Sequence, residues 1–310
     1  MDGILVANKP AGPTSHDVVA LVRRLAATKR VGHGGTLDPF ASGVLPLFLG
    51  RATKVVEYHL GDTKGYRATI CFGASSLTDD LEGELTPADG QAPSRAAVEA
   101  ALAGFLGEIS QRPPAYSAIK VAGRRAYAMA RAGETVELAE RRVRIESLEI
   151  HDWDDRDPAR PIAVVDVRCS AGTYVRALAR DLGAAVGSAA YLGALVRTES
   201  GPFTLEDATA LDDVRAAAAE GPDRLAELLL PVDAGLEALP EAVLDAAGVA
   251  AVARGQFVRT GERPGEPYGD GPIRVRDEAG ALVAIARYQD GRLAPDKVLV
   301  DAPTPVPARA

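Results

Sequence analysis

The sequence feature that most constrains this chain is the stretch GHGGTLDP at residues 32–39. Its glycines allow the backbone to approach a ligand closely or to adopt positive φ angles. His33 lies among them without apolar periodicity around it, and Asp38 precedes a proline and the small, apolar segment FASGVLP at 40–46. A glycine-rich backbone, one acid and apolar surroundings are typical of a buried catalytic carboxylate.

Two other interpretations of this stretch rest on local structure. Asp38-Pro39 has the form of a helix start, with Asp at the N-cap and Pro at the first helical position, where its missing N–H costs nothing. The glycines could also form a phosphate loop, but the stretch lacks the G-x-x-x-x-G-K-[ST] and G-x-G-x-x-G frames. The spacing alone therefore leaves a catalytic acid and a helix cap both open.

The composition favours a globular protein without a membrane span, a secretory signal or a metal site. The 310 residues suffice for one large domain and one small domain, no apolar run approaches about 18 residues, and no basic segment follows Met1. Cys71 and Cys169 lie in apolar, strand-like segments, so we expect buried free thiols in a reducing compartment. The histidines are scattered without the spacing of a zinc site. We therefore expect a cytoplasmic protein without a bound metal.

Charge is unevenly distributed along the chain. The net charge of −8 argues mildly against a nucleic-acid partner. Residues 112–144, however, contain eight basic residues against three acidic ones, and nearly all of the basic ones are arginine, which suits bidentate phosphate contacts. Within them, PPAYSAIKVAGRRAY at 113–127 interleaves tyrosines with cations, as RNA-binding surfaces do. A solvated charged face is the alternative interpretation.

The hydrophobic pattern predicts both strands and helices. Strands are expected at 3–7, 64–73, 141–153 and 162–169. Helices are expected after a cap at Thr14 or Ser15, from 94 to 105, from 204 to 220 and from 222 to 230. Glycine, proline and short apolar runs at 256–300, with a turn at 277–280, predict a small β-rich module.

Arg176 is predicted to lie in the first turn of a helix. Tyr174, Leu178 and Leu182 recur every four residues, and Thr173 is a suitable N-cap. A cation in the first turn opposes the helix dipole and costs roughly a few tenths of a kcal/mol unless an anion pairs with it. We therefore predict a carboxylate partner for Arg176, and we expect that partner to be Asp38.

The glycine-rich stretch and its neighbours resemble the TruB family of tRNA pseudouridine synthases. GHGGTLDPFASGVLP at 32–46 is similar to the catalytic motif of that family. The further similar segments are KPAGPTS at 9–15, KGYRA at 64–68, SLTDDLEG at 76–83, PPAYSAIKVAGRRAY at 113–127, CSAGTYVR at 169–176 and the stretch 190–203. Leu77 departs from the family pattern, which commonly has an acid there. The resemblance covers nearly the whole chain and is looser in the C-terminal part.

The resemblance implies an α+β protein with the pseudouridine synthase fold. We expect a large mixed, mainly antiparallel sheet flanked by helices, with a central catalytic cleft, in a domain spanning 1–235. An RNA-clamping insertion, mobile in the free protein, is expected at about 110–133. A small, β-rich PUA-like RNA-binding domain is expected at 240–302, and a disordered tail at 303–310.

The resemblance also implies roles for individual residues. Asp38 corresponds to the catalytic nucleophile, Tyr66 stacks on the uracil and is the leading candidate for the general base, and Arg176 pairs with Asp38. The expected substrate-binding residues are His33, which inserts into the RNA loop, and Leu195, Tyr174, Lys9 and Gly35. The expected RNA-binding residues are Lys64, Lys120, Arg124 and Arg125.

The implied activity is the conversion of uridine 55 in the T loop of tRNA into pseudouridine by base flipping. The reaction involves no redox change and no group donor, so no cofactor is expected. Whether Asp38 attacks C6 of the base or C1′ of the ribose stays open. We expect tRNA as partner, no membrane, no obligatory protein partner and a monomer. The alternatives are a tRNA-folding protein, a related synthase in a guide-RNA complex, and a glycosidase, which would need a second acid opposite Asp38.

Overall fold

The computed structural model describes residues 1–89, 91–117, 119–121, 123–259 and 270–301. The elements of the first and larger part are, in chain order, β1 (Gly3–Lys9), α1 (Ser15–Leu25), β2 (Val31–His33), β3 (Ser42–Leu49), β4 (Lys64–Phe72), β5 (Ala74–Ser76), β6 (Leu85–Pro87), α2 (Arg95–Leu102), β7 (Gly107–Gln111), β8 (Lys120–Val121), β9 (Arg124–Arg125), α3 (Ala126–Arg131), β10 (Arg141–Asp154), β11 (Ile162–Cys169), α4 (Val175–Ala185), β12 (Ala190–Ser200), β13 (Phe203–Thr204), β14 (Thr209–Ala210), α5 (Leu211–Glu220) and α6 (Pro222–Ala226). The second part contains β15 (Glu241–Leu244), α7 (Ala246–Ala253), β16 (Val258–Arg259), β17 (Pro272–Asp277), β18 (Leu282–Gln289) and β19 (Arg292–Val298).

The large sheet is mixed and mainly antiparallel. Its strand order is β14-β1-β3-β12-β4-β11-β10-β7, with β2 paired to β3 and β13 paired to β12. The pairs β12–β3 and β1–β14 are parallel, whereas β4 is antiparallel to both β11 and β12. Strand β12 therefore lies between β3, which follows the glycine-rich stretch, and β4, which carries Tyr66. This order brings the distant motifs to the middle of one sheet.

Helices cover one face of this sheet because each has one apolar side. In α4, Leu178 and Leu182 are buried in the core cluster together with sheet residues such as Leu45 and Ile70. Helix α1 begins with a capping box between Thr14 and Asp17, as the sequence predicts. The core between helices and sheet fixes the position of the loops at the strand ends.

Three local predictions are wrong. The N-cap of α4 is Tyr174 rather than Thr173, because the Thr173 hydroxyl donates to the carbonyl of Ser170 at 2.9 Å. The helix expected from residue 204 begins at Leu211, since the preceding residues add the short strands β13 and β14 to the large sheet. The helix expected to reach residue 230 ends at Ala226.

The second part is a small β-rich module with a sheet of order β15-β17-β18-β19-β16. The predicted turn at 277–280 is present, with the Gly280 N–H donating to the carbonyl of Asp277 at 3.0 Å. The module packs on the back of the large sheet, where Ile285 and Leu299 share an apolar cluster with Ile4 and Phe48. The tail expected at 303–310 lies outside the described residues.

The two cysteines are free thiols, as predicted. Cys169 is buried, whereas Cys71 is only half-buried. None of the helices in the described ranges is long and apolar enough to cross a membrane. Within the same ranges, no group of three or more His, Cys, Asp and Glu side chains is arranged to hold a metal ion.

Candidate active site

Asp38 lies in a turn between β2 and β3. Its carbonyl accepts a hydrogen bond from the Ala41 N–H at 3.1 Å, and β3 follows directly, so the helix-cap interpretation is wrong. Ser15 fixes the residue before it, since its hydroxyl bonds both the N–H and the carbonyl of Leu37, at 2.8 and 3.0 Å. The carboxylate of Asp38 therefore does not cap a helix, and its side chain is 35% exposed.

Lys9 supports this turn from below. The side chain is fully buried, and its ammonium donates to the carbonyls of Pro10, Pro39 and Ala41 at 3.0, 3.1 and 2.6 Å. All three N–H donors of the ammonium are therefore used on backbone at the end of β1 and around Asp38. Burial lowers the pKa of Lys9 to about 8, and the Asp38 charge opposes that shift.

Arg176, on the first turn of α4, contacts Asp38 from the other side. Its Nε lies 3.0 Å from Oδ2 of Asp38, so the predicted ion pair is present. Its Nη1 contacts Oδ2 of Asp80 at 3.1 Å and donates to the carbonyl of Thr78 at 3.1 Å, while Nη2 donates to the carbonyl of Tyr116 at 3.0 Å. Arg176 is 6% exposed, and its Nη1 and Nη2 atoms are both hydrogen-bonded.

Asp80 is a second carboxylate at Arg176 to which sequence reasoning gave no role. Its side chain is almost fully buried, and Oδ1 accepts hydrogen bonds from the Thr78 hydroxyl at 2.5 Å and the Glu82 N–H at 3.0 Å. The sequence did offer a signal, since Asp80 lies in SLTDDLEG at 76–83, one of the segments that resemble the family. Asp80 thereby fixes the guanidinium that faces Asp38.

The charges around Asp38 act on its pKa in opposite directions. Burial raises the pKa of this carboxyl and is the largest cause; the Arg176 guanidinium lowers it, the Asp80 charge raises it, and the Lys9 ammonium lowers it. A half-buried carboxylate that lies next to the cations Arg176 and Lys9 can act as a nucleophile once it is ionised. Its ionisation therefore depends on the two cations.

Tyr66 and Leu195 come together through the pairing of β4 and β12. Leu195 lies opposite Ala68, and Arg197 lies opposite Tyr66. Leu195 is buried in the core cluster, and Tyr66 packs against that cluster. Burial raises the pKa of the Tyr66 phenol most strongly, whereas the adjacent Arg197 lowers it.

Arg197 was not identified from the sequence, although it is central to the site. It is 1% exposed, and its guanidinium bonds carbonyls in the glycine-rich stretch and in β3. Gly35 adopts a φ of +133° in that stretch, and Arg197 Nη2 donates to its carbonyl at 3.2 Å. Gly35 therefore belongs to the backbone of the site.

Tyr174 is the N-cap residue of α4. Its backbone is held by the side chain of Gln111, which accepts from the Tyr174 N–H at 2.9 Å and donates to its carbonyl at 3.1 Å. The guanidinium carbon of Arg141 lies 4.4 Å from the centre of the Tyr174 ring, a cation–π arrangement. The expected substrate-binding residue is thus stacked against a cation in the free protein.

His33 ends β2, beside the glycines. The Gly35 N–H lies 3.3 Å from Nδ1 of His33, and the His16 ring packs edge-on with ring centres 6.3 Å apart. Burial lowers the pKa of His33, and the charges of His16 and Arg197 lower it further. The imidazole is therefore neutral at pH 7 and half-buried.

The four residues expected to bind RNA do not share one environment. Lys120, Arg124 and Arg125 are exposed on the β8–β9 hairpin, where Arg124 forms a bidentate pair with Glu134 at 2.9 and 2.7 Å. Lys64 is only 6% exposed, and burial lowers its pKa to about 8. Lys64 consequently presents little surface to a phosphate in the free protein, and its role in RNA binding stays a prediction.

The sequence and fold are similar to those of known proteins along nearly the whole chain. Residues 23–175 match the TruB family pseudouridylate synthase (N terminal domain), and residues 176–237 match the tRNA pseudouridylate synthase B C-terminal domain. A tRNA pseudouridine synthase B from Bradyrhizobium diazoefficiens is 44% identical over 96% of this chain and 85% of that protein. Proteins of the same name from Arthrobacter sp. and Burkholderia mallei are 42% and 43% identical, over 98% of both chains and 97% of both chains respectively.

Solved structures share the fold. The Cbf5-Nop10-Gar1 complex contains a chain that superposes with a TM-score of 0.71 at 26% identity, over 97% of this chain and 85% of that chain. The archaeal box H/ACA sRNP Nop10-Cbf5 complex gives 0.69 at 26% identity, over 97% and 86%. The predicted fold, a large mixed sheet flanked by helices with a β-rich C-terminal domain, is therefore confirmed. With adjacent domain matches over most of its length and relatives of this similarity, the chain belongs to the TruB family of pseudouridylate synthases.

Proposed function

We propose that this chain converts uridine 55 in the T loop of tRNA into pseudouridine, with Asp38 as the nucleophile and without a cofactor. The observation that carries this proposal is the ion pair of Asp38 with the buried Arg176 at 3.0 Å. The tRNA substrate comes from the names of the bacterial relatives, and position 55 from the resemblance to the family.

The reaction breaks the N1–C1′ bond of uridine, rotates the base and joins C5 to C1′. The carboxylate of Asp38 attacks an electrophilic carbon, C1′ of the ribose or C6 of the base, and is released when the C5–C1′ bond has formed. C5 then loses its proton to a base, and N1 gains a proton from water, so the net change is an isomerisation. Arg176 and Lys9 support the charged form of Asp38 at the start of this sequence.

Tyr66 and Leu195 provide the walls for the detached base. Leu195 forms an apolar floor, and the ring of Tyr66 stacks on the uracil so that the base stays in place while it turns. The phenol oxygen of Tyr66, once deprotonated, takes the C5 proton, directly or through a water molecule.

A uridine inside a folded loop has to leave the stack before a half-buried Asp38 can reach it, at a cost of about a few kcal/mol. His33 is suited to fill the gap, because a neutral imidazole can stack between bases without introducing a charge. The exposed cations Lys120, Arg124 and Arg125 on the β8–β9 hairpin are suited to contact the RNA backbone.

The hairpin segment is linked to the catalytic centre through one contact. The carbonyl of Tyr116, within the expected clamping insertion, accepts a hydrogen bond from Arg176 at 3.0 Å. Closure of the insertion on RNA would therefore act directly on the guanidinium that faces Asp38, through this hydrogen bond. We also propose that the enzyme acts alone, because the relatives of higher identity are tRNA pseudouridine synthase B proteins, whereas the Cbf5 structures share 26% identity.

The test uses a T-arm stem-loop RNA labelled with tritium at C5 of its uridines. Formation of pseudouridine releases that label to water. We expect release with the wild-type enzyme and none above background with Asp38→Asn, while both bind the RNA equally well in a filter-binding assay. Binding without release by the wild type would favour a tRNA-folding protein. Neither binding nor release would refute the proposed substrate.

A further inference from the structure

Arg197 occupies the centre of the large sheet, between the two elements that carry the proposed nucleophile and base. On one side of β12 it lies opposite Tyr66 of β4, and on the other it is paired with Gly43 of β3, which follows Asp38 in the chain. A Cβ atom on Gly43 would lie 2.2 Å from the carbonyl oxygen of Arg197, and Gly43 has a φ of +103°. The backbone at this crossing is therefore built for close approach.

The guanidinium of Arg197 ties these elements together. Nε donates to the carbonyl of Val44 at 2.7 Å, and Nη2 and Nη1 donate to the carbonyls of Gly35 and Thr36 at 3.2 and 3.5 Å. The phenol of Tyr66 also interacts with its charge. The cationic forms of Lys9, Lys64 and His33 lie close enough to be repelled by it. One side chain thus contacts the glycine-rich stretch, β3 and Tyr66.

Arg197 differs from the other buried arginines in its lack of an acidic partner. Arg176 contacts two carboxylates, and Arg274 in the C-terminal module contacts Asp233 and Glu241. Within the described ranges of the chain, no ion pair includes Arg197. A buried cation bonded only to neutral carbonyls is costly, because their dipoles compensate its lost hydration incompletely. Such a cost is explained when an adjacent group becomes negative during the reaction.

We propose that Arg197 is the positioning residue for Tyr66: it holds the phenol against the glycine-rich stretch and stabilises the phenol oxygen while that oxygen is negative. The proposal rests on the proposed function in so far as Tyr66 is the proton acceptor. After C5 of the base has bonded to C1′ of the ribose, the deprotonated oxygen of Tyr66 takes the proton from C5. The proton then leaves for water, and N1 takes up one proton from water, so that charge and atoms balance.

The other charges near Tyr66 do not supply this stabilisation. Cys169 on β11 and Asp38 on the turn both raise the pKa of the phenol, as does burial, and Arg197 is the group that lowers it. Lys64 and Lys9 have their own pKa values lowered by the charge of Arg197, so they repel it and cannot serve as its counter-ions. Arg197 and Tyr66 are therefore the pair whose charges can offset each other.

The first experiment tests the pair without RNA, so its result is independent of the proposed function. 3,5-Difluorotyrosine, which titrates near neutral pH, is incorporated at position 66, and the resonances of its two fluorines are followed against pH. We expect Arg197→Met to shift this titration to higher pH and Arg197→Lys, which keeps the charge, to leave it close to the wild-type position. Arg274→Met, which removes a buried arginine elsewhere, should leave it unchanged. A titration that does not move in Arg197→Met overturns the proposal.

The second experiment separates a positioning role from a structural one by single-turnover kinetics on the labelled stem-loop. Arg197→Met should lower the maximal rate by about 100-fold, within the range of a lost general base, with the enzyme concentration at half-saturation changed less than about threefold. In a Tyr66→Phe background the same substitution should cause no further loss, because Arg197 acts through the missing hydroxyl. An equal loss in both backgrounds overturns the proposal.

Folding of the variants is checked by thermal unfolding before either experiment. If Arg197→Met does not fold, Tyr66→Phe tests the pair from the other side, since Phe fills the same space without the hydroxyl. The nitrogen resonances of the Arg197 guanidinium should then shift, and those of Arg274 should stay unchanged. Unchanged Arg197 resonances overturn the proposal.

Discussion

Replacement of Asp80 by Asn tests whether the second carboxylate at Arg176 acts on the nucleophile. Asp80 contacts Nη1 of Arg176 at 3.1 Å, and the same guanidinium contacts Asp38 through Nε at 3.0 Å. The substitution keeps the shape of the side chain and removes its charge. It therefore weakens the anchor of Arg176 and, at the same time, removes a negative charge that raises the pKa of Asp38.

The expected loss of stability is moderate. One charge-assisted hydrogen bond is worth about 1.5–3 kcal/mol. Removing one partner of a buried ion pair costs about 3–5 kcal/mol when the other charge is left uncompensated. Arg176 keeps Asp38 and the carbonyls of Thr78 and Tyr116, so we expect the lower end, about 2 kcal/mol. A displaced guanidinium should lower the plateau rate by roughly 10- to 100-fold.

The pH profile of the single-turnover rate gives the sharper result. The active form of Asp38 is the carboxylate, and its pKa is raised, chiefly by burial, so the rate falls as the pH drops through that raised value. Without the Asp80 charge the pKa of Asp38 falls, and the acid limb of the profile moves to lower pH. A merely structural disruption that separates Arg176 from Asp38 would instead move the acid limb to higher pH. Movement to higher pH, or no movement, would refute the reasoning.

Asp79→Asn is the matched control. Asp79 precedes Asp80, is also largely buried and pairs with an arginine, Arg180, at 2.7 Å. Its carboxylate forms its ion pair with Arg180 rather than with the guanidinium that contacts Asp38, and its positive φ of 62° is one that Asn tolerates well. We expect a similar loss of stability in thermal unfolding and an unchanged acid limb.

Three further predictions concern the framework of the site. Gly43→Ala should destabilise the protein by roughly 3–5 kcal/mol in denaturant unfolding, because the new methyl group meets the Arg197 carbonyl at a positive φ; Gly32→Ala, with nothing within 4 Å, should cost far less. Lys64 has a pKa lowered to about 8, so the unfolded chain binds its proton more tightly between about pH 8 and 10.5, and folding stability gains from rising pH in that window. Lys64→Met should accordingly unfold at a higher temperature than the wild type at pH 7, with the difference shrinking by pH 10; a difference that grows would contradict the sign. Asp233→Asn removes the acid shared by two arginines of β17, and should speed hydrogen exchange in the C-terminal module while leaving the acid limb of the rate unchanged.

The sequence was sufficient for the parts of the site that depend on short-range rules. The dipole argument for a cation in the first turn of α4 led to the pair of Arg176 and Asp38, which is present. Strands with clear alternation, such as β4 and β10, were predicted within a residue or two. The helix cap at Asp38 was an equally valid reading of the spacing, and only the pairing of β3 directly after the turn decides against it.

The remaining parts depend on which strands become neighbours. Arg197 lies two residues after Leu195 in β12, so the alternation of side chains along a strand places both on one face of the sheet. The role of Arg197, however, requires β12 to lie between β3 and β4. Asp80 lies far from Arg176 in the chain and is brought there because its segment bridges to Leu192 of β12. Lys64 was expected to bind RNA, and it is buried because β4 is an interior strand, with β11 and β12 on either side. No local pattern carries this information.

The arrangement of charges also explains how one carboxylate can remain ionised in a partly dry site. Asp38 shares Arg176 with Asp80, so the guanidinium alone leaves this group of three with a surplus negative charge. Lys9 supplies the compensating charge from beneath the turn, where its hydrogen bonds to backbone also fix the carboxylate in place. Because burial lowers the pKa of Lys9 to about 8, its charge is present at neutral pH and fades in the alkaline range. The ammonium therefore supports the ionisation of Asp38 at neutral and acid pH. Above about pH 8 the neutral amine keeps two N–H donors for the three carbonyls of the turn, so one of these hydrogen bonds is lost.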